Sequence, residues 1–489
     1  MFNKMFNKMF NKIIIIKNMT IKNIILWLLV LIINCAVANN NLPNLGNETQ
    51  SIMSTKEEII IGKSLLHQLQ HAGMIYPDLI STAYINHLGN NLLANTEQID
   101  LNKFNFFIVN DNKEINAFAF FGGNIGIYPE LIKVTESESE LAAILAHEIS
   151  HITQKHSARQ LLQQQKLMPI TIAGAIATAI INPHLTTLVL GSHMQHMLNF
   201  SRDNEQEADR IGIQILAKSG FDPQAMPNIF QRFSQLHLYQ QKIPEYLLTH
   251  PMFESRISDA LSRTKKINYK QFVEHLDYHL IKARINANSN VNKIDLLAHI
   301  ETQLKNHRYN NYTVLKYEQA LVLQNLHKIS QAEKILKELA LKNPENIIIQ
   351  LSLANLQTTT NIKAAKTKLS GLIQLYPDYF PLVLDYAQIL LTFNLPLEAK
   401  HILKNYNYDQ IYELIEEPTI YKLLIACAQK LNDPSEDLLT QAKLLIITDN
   451  LPAANQKLDQ ALKIANTSQY ARIKKFKIEL EAFIQDLKS

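Results

Sequence analysis

Cysteine is scarce in this chain, two in 489 residues, and that excludes a disulfide-held scaffold. Cys35 lies in an N-terminal stretch that reads as a cleaved leader, so the mature chain keeps only Cys427 and can form no internal disulfide. Cys427 closes the apolar run Leu423-Leu424-Ile425-Ala426, which marks it as a buried small hydrophobe rather than a nucleophile. The single tryptophan, Trp27, also belongs to the leader. Excess charge is lacking too. Residues 1–38 hold five lysines and no acid, so the formal +4 falls to −1 once they are removed, and nucleic acid is excluded as a partner.

The leader has its parts in order. Met19-Thr20-Ile21-Lys22-Asn23 is basic, Ile24 to Ile33 is apolar, and Ala36-Val37-Ala38 is a small-residue cleavage signature. An uncleaved anchor extended by Ile13 to Ile16 is the alternative, but Lys17 and Lys22 interrupt it. Asn34 is a poor residue before a lipidated cysteine. The unit Met1-Phe2-Asn3-Lys4 recurs twice more, to Lys12, so residues 1–38 read as a signal peptide with an N-terminal extension and Met19 as the start. The chain is expected to be exported.

What is present is chemistry. His147-Glu148-Ile149-Ser150-His151 follows Glu140 to Ala146, a run of helix formers without a breaker. On a helix, His147 and His151 share a face and can hold one Zn²⁺. Glu148, rotated about 100° away, falls beside the metal, where it can take a proton from water. A third ligand decides the matter. His156 is the next histidine, but no glycine turn precedes it, and that reading fails. Downstream, Ser201 to Leu216 reads as a second helix with acids in its first turns. Glu205 and Asp209 share a face while Glu207 points elsewhere. Glu205 is therefore the expected third ligand, and Asp209 is placed to hydrogen-bond the free ring nitrogen of a ligand histidine.

With these residues in view the chain resembles the HExxH/ExxAD zinc metallopeptidases, which include the CAAX prenyl protease and the HtpX-type proteases. It is most similar to their periplasmic BepA-like branch, in which TPR repeats follow the protease. Leu42–Gly46, Glu114–Gly123, Ser219–Pro227 and His250–Ile257 carry the likeness beside the two metal-binding helices, from about residue 42 onward. The resemblance implies that the first Glu of Glu-x-x-Ala-Asp binds the metal, in agreement with Glu205. It implies that His250 can also reach the zinc and close the site, which makes His250 a switch ligand. It also implies that a strand near Ala117 rims the cleft. The prenyl-protease branch itself is disfavoured, because its multiple membrane spans are missing.

The expected fold is mainly α: an α+β, zincin-like metallopeptidase domain with a small sheet over 39–265, then a TPR-like α-solenoid over 266–489. Phe104 to Val109 reads as a strand, and Ala117 to Phe121 with Ile125 to Tyr128 as a second extended segment broken at Gly122-Gly123. Met168 to Ile181 and Leu185 to Leu190 are apolar but fall short of the about 20 residues that a span needs. They form either a buried helical hairpin or a loop that caps the site or touches the outer membrane. His193 and His196 read as surface residues. In the second half, Ala320, Ala332, Leu336 and Pro344 fit a 34-residue helix-turn-helix unit. Ala365, Leu369 and Pro377 repeat it, then Ala399 and Leu403. Ala454 and Leu458 echo it, out of phase after an insertion around Asn405 to Glu417. Such stacked pairs leave a concave surface for partner segments.

The expected function is that of a periplasmic zinc endopeptidase holding one Zn²⁺, with chaperone-like activity in outer-membrane protein assembly and quality control. Its implied partners are unfolded or misassembled outer-membrane proteins and the β-barrel assembly machinery, recruited by the repeats. The alternative is a mainly non-proteolytic assembly factor with a latent zinc site. An intact Glu148 argues for retained hydrolysis, since a pure chaperone would be free to lose it.

Overall fold

The computed structural model describes residues 55–96, 104–157, 159, 201–239, 245–251, 254–267, 269, 272–411, 417–448 and 450–486. The expected signal peptide, Leu42–Gly46, the apolar insert and His193 with His196 lie outside these residues.

Helices α1 (Thr55–His71) and α2 (Leu79–Leu93) precede a three-stranded sheet of β1 (Asn105–Ile108), β2 (Ala117–Phe120) and β3 (Asn124–Ile127). Strand order is β1-β3-β2, with β1 parallel and β2 antiparallel to β3. Alternation sends Phe106, Ile108, Ala119, Ile125 and Ile127 to the main core. Phe107, Val109, Phe118 and Phe120 pack instead with Leu66 and Leu69 of α1. The turn between β2 and β3 needs glycine twice over. Gly122 sits at φ +76, and a Cβ there would stand 3.1 Å from Glu58 O and 3.2 Å from Gly62 Cα in α1.

After α3 (Pro129–Val134), Ser137 caps α4 (Glu138–Thr153) by accepting a bond from the Glu140 amide at 3.1 Å. Every residue of α4 from Glu138 to His151 is buried, so this helix runs through the interior of the sheet-containing half. Helix α5 (Arg202–Lys218) packs along it. Gly212 permits that approach: a Cβ there would meet the His147 amide nitrogen at 3.2 Å and the Ala146 carbonyl carbon at 3.3 Å. Helices α6 (Ala225–Tyr239), α7 (Glu245–Thr249) and α8 (Glu254–Thr264) complete this half.

The rest is helical: α9 (Leu276–Asn288), α10 (Lys293–Lys305), α11 (Tyr312–Asn325), α12 (Ile329–Lys342), α13 (Ile347–Thr360), α14 (Ile362–Leu375), α15 (Phe380–Thr392), α16 (Pro396–Ile402), α17 (Pro418–Lys430), α18 (Pro434–Ile447), α19 (Leu451–Ile464) and α20 (Thr467–Asp486). This is the expected mainly α architecture, an α+β half with a small sheet followed by a helical solenoid. Ala320, Ala332, Leu336, Ala365, Leu369, Ala399, Leu403, Ala454 and Leu458 are all buried where helices meet. Cys427 is buried among them, its thiol pushed up to about 11 by burial. No helix among the described residues is long and apolar enough to cross a membrane.

The first helix of this series is bonded to the sheet-containing half. Arg284 of α9 forks onto Asp78, which precedes α2, at 2.7 and 2.8 Å. Tyr278 donates to the Thr135 carbonyl at 2.9 Å, and Glu138 at the start of α4 accepts from Tyr84 and from the His275 amide.

Candidate metal centre

The fold brings His147, His151, Glu205 and His250 together, all buried, with their donor atoms within 4.8 Å of one another. The Nε2 atoms of His147 and His151 are 2.9 Å apart, one turn apart on α4. Glu205, in the first turns of α5, places Oε2 3.5 Å from His147 Nε2 and Oε1 3.5 Å from His151 Nε2. His250 follows α7 and puts Nδ1 3.0 Å from Glu205 Oε1 and 3.4 Å from His147 Nε2.

These residues fit a metal ion. His147 turns Nδ1 toward Asp209 Oδ1 at 3.0 Å, which keeps the proton there and aims the Nε2 lone pair at the other donors. Buried lone pairs converging on one point repel unless a cation stands among them. Charge points the same way. Burial alone would lower the His147 imidazole, but the carboxylates of Asp209 and Glu205 raise its affinity for positive charge, which at Nε2 a metal ion can supply in place of a proton. Burial alone would raise the Glu205 carboxyl, but His250 and Arg256 hold it well below the usual range, ionised. Imidazoles with one carboxylate are a zinc donor set.

Glu148 is wholly buried and neither carboxylate oxygen has a hydrogen-bond partner among the described residues. Burial lifts its carboxyl above the ordinary value. His250 Nε2 lies 3.6 Å from Glu148 Oε1, so one ring faces both the donor cluster and this carboxylate.

One further residue, Arg256, supports the donors. It lies beneath the donors, fully buried. Its guanidinium forks onto Asp209 at 2.7 and 2.8 Å, reaches Glu205 Oε2 at 2.7 Å, and donates to the Pro251 carbonyl at 3.0 Å. Tyr246, four residues before His250, stacks on that imidazole with centroids 4.7 Å apart, and its amide donates to Ile115 O ahead of β2. His156 is not among the four donors. It sits behind His151, ring nitrogen to ring nitrogen at 2.8 Å. The His-Pro segment with an arginine five residues after the proline was the available signal for Arg256.

With the site assembled, relatives can be compared. The profile of Peptidase family M48 matches residues 80–264, which span the sheet and all four donors. The "Beta-barrel assembly-enhancing protease" of Yersinia pestis is 33% identical over 432 residues, covering 87% of this chain and 88% of that one. This chain belongs to peptidase family M48. The Escherichia coli K12 "Beta-barrel assembly-enhancing protease" is 32% identical to this M48 peptidase over 443 residues, 88% of this chain and 87% of that one. The "Mitochondrial metalloendopeptidase OMA1" of Schizosaccharomyces pombe is 28% identical over 177 residues, 36% of this chain and 51% of that one. The crystal structure of yeast Tom70 gives a TM-score of 0.26 at 13% identity over 73% of this chain and 84% of that one, too slight to carry weight. The M48 chain is a zinc metallopeptidase, with the His147, His151, Glu205 and His250 cluster able to hold the ion.

Proposed function

We propose that this chain is an exported, periplasmic zinc endopeptidase that assists outer-membrane protein assembly and degrades misfolded or stalled β-barrel clients. The relatives named as β-barrel assembly-enhancing proteases, alike over most of both chains, support that setting. Residues 39–265 form the peptidase and 266–489 the recruiting arm, whose concave surface takes extended segments of clients and of the assembly machinery. Contact with the outer membrane is peripheral.

In this reading His147, His151 and Glu205 hold the zinc, which when bound acidifies water and polarises a peptide carbonyl. Glu148 accepts the water's proton and returns it to the leaving amine. Its raised proton affinity suits both halves of that transfer, and among the described residues neither of its oxygens is held by a hydrogen bond. Asp209, itself gripped by Arg256, fixes the tautomer and angle of His147. Edge strand β2 pairs only with β3 among the described residues and offers its other side to an extended substrate.

The observation that carries the proposal is His250 inside the donor cluster. It favours a self-gated protease, and it equally keeps alive a mainly non-proteolytic assembly factor whose zinc site stays latent. Casein hydrolysis by residues 39–489, with zinc quantified, separates the two. A gated protease shows faster cleavage in His250→Ala and none in Glu148→Gln, each holding one zinc. Zinc bound without cleavage in any variant supports the assembly factor.

A further inference from the structure

A second chain of contacts runs away from the cluster behind His151. Helix α4 ends at Thr153, and Lys155, at φ +53, turns the backbone so that His156 comes back beneath His151. His156 is buried, with one ring nitrogen, Nδ1, 2.8 Å from Nδ1 of His151 and the other, Nε2, 3.0 Å from Glu207 Oε2. Arg159 donates to the same Glu207 oxygen at 2.9 Å. Glu207, two residues after Glu205 on α5, points away from the donors and is part-exposed.

The hydrogens in this chain can be placed in one consistent way. His151 turns Nε2 to the donor cluster, so that atom must offer a lone pair and the proton must sit on Nδ1. His156 Nδ1 must then accept that proton's hydrogen bond, which leaves its own proton on Nε2, aimed at the Glu207 carboxylate. Each of these two ring N–H groups meets an acceptor. Reversing the chain would put the His151 proton on Nε2, facing the cluster, and the His156 proton on Nδ1, which would leave the His156 Nε2 lone pair against the Glu207 carboxylate.

We propose that His156 and Glu207 are positioning residues for His151: they fix its tautomer and ring angle and so set how tightly the site holds zinc. The two ligands on α4 are thus each braced, His147 by Asp209 with Arg256, and His151 by His156 with Glu207 and Arg159. The inference rests on reading His147, His151 and Glu205 as the zinc ligands. Residues that hold a metal-ligating histidine in this way alter metal affinity by about 10- to 100-fold.

The test is zinc release from the full mature chain into a chelator, together with the visible absorption of the Co²⁺-substituted protein. His156→Ala is expected to release zinc about 10- to 100-fold faster and to shift the cobalt bands. His156→Asn places an amide oxygen where Nδ1 stood, and should restore most of the retention. Glu207→Ala, at a part-exposed position, tests the outer link if His156→Ala does not fold, and Glu207→Gln, which keeps an acceptor, should spare the site. Wild-type release rates in both alanine variants overturn the proposal. Equal losses in His156→Ala and His156→Asn also overturn it, because the ring would then only fill space. His151→Ala separates the two levels: if it keeps zinc as the wild type does, the ligand assignment itself has failed.

Discussion

His250 Nδ1 lies 3.0 Å from Glu205 Oε1 while Nε2 of the same ring is 3.6 Å from Glu148 Oε1. One imidazole thus stands over both a proposed ligand and the proposed base, in the space that an attacking water and a substrate carbonyl need. Its backbone is short and tied at both ends, by the Tyr246 carbonyl that accepts from its amide at 2.8 Å and by Arg256 on Pro251. A closed four-donor zinc site is inert until one donor leaves.

His250→Ala should therefore raise hydrolysis of casein, by about tenfold if the ring's hold on the closed state is near 1.4 kcal/mol. Zinc content should stay at one per chain, since three donors remain. Unchanged or lower activity with zinc still bound would sink the latch.

Glu148→Gln should separate chemistry from stability. The carboxylate is buried, and burial raises its proton affinity, so a neutral isostere removes an unfavourable buried charge. Hydrolysis should fall by about 10²- to 10⁴-fold, the usual worth of a positioned general base. Thermal unfolding should be no earlier than in the wild type. A variant that keeps activity removes Glu148 from the mechanism.

Much of this was legible beforehand, and the reasons are local. His147 with His151, and Glu205 with Asp209, are i,i+4 pairs, so helix geometry alone placed each pair on one face. The repeats showed through Ala332, Leu336, Ala365 and Leu369, small and packing residues recurring at nearly fixed spacing. The strands were visible by composition, but the β1-β3-β2 order was not, because a parallel pair joins residues whose proximity no local pattern records. His156 was hidden by the positive φ of Lys155, a turn made by a residue that rarely adopts it. Arg256 was hidden because its partners come from α5 and the His-Pro turn, which only the packing of α8 brings within reach.

Arg256→Met should be severe. It leaves Asp209 and Glu205 buried without their cation, and removing one partner of a buried ion pair costs about 3–5 kcal/mol. Arg256→Lys should recover little, since an ammonium cannot span Asp209, Glu205 and the Pro251 carbonyl at once. Urea unfolding of the metal-free protein measures this without recourse to activity. Wild-type stability in Arg256→Met would show that the carboxylates find other partners.

The junction of the two halves holds one carboxyl whose ionisation works against folding. Burial pushes Asp385 of α15 up to about 6 from an ordinary 3.8, and Asn355 and Arg284 only partly offset that. Arg284 is committed elsewhere, forked onto Asp78 and donating to Tyr317 Oη at 2.9 Å. The sign follows from the proton count. Between about pH 4 and pH 6 the folded chain keeps a proton on Asp385 that the unfolded chain has lost, so this group's contribution to stability declines as pH rises through that window. Asp385→Asn, neutral at every pH, should match the wild type most closely near pH 4 and exceed it above pH 6, by at most about 3 kcal/mol from a shift of about two units. Urea unfolding of both proteins at pH 4.5, 6 and 7.5 reads the difference directly, and other titrating groups cancel in the comparison. A difference that stays flat with pH would mean that Asp385 is ionised in the fold with an ordinary proton affinity, its charge met by Arg284 after all.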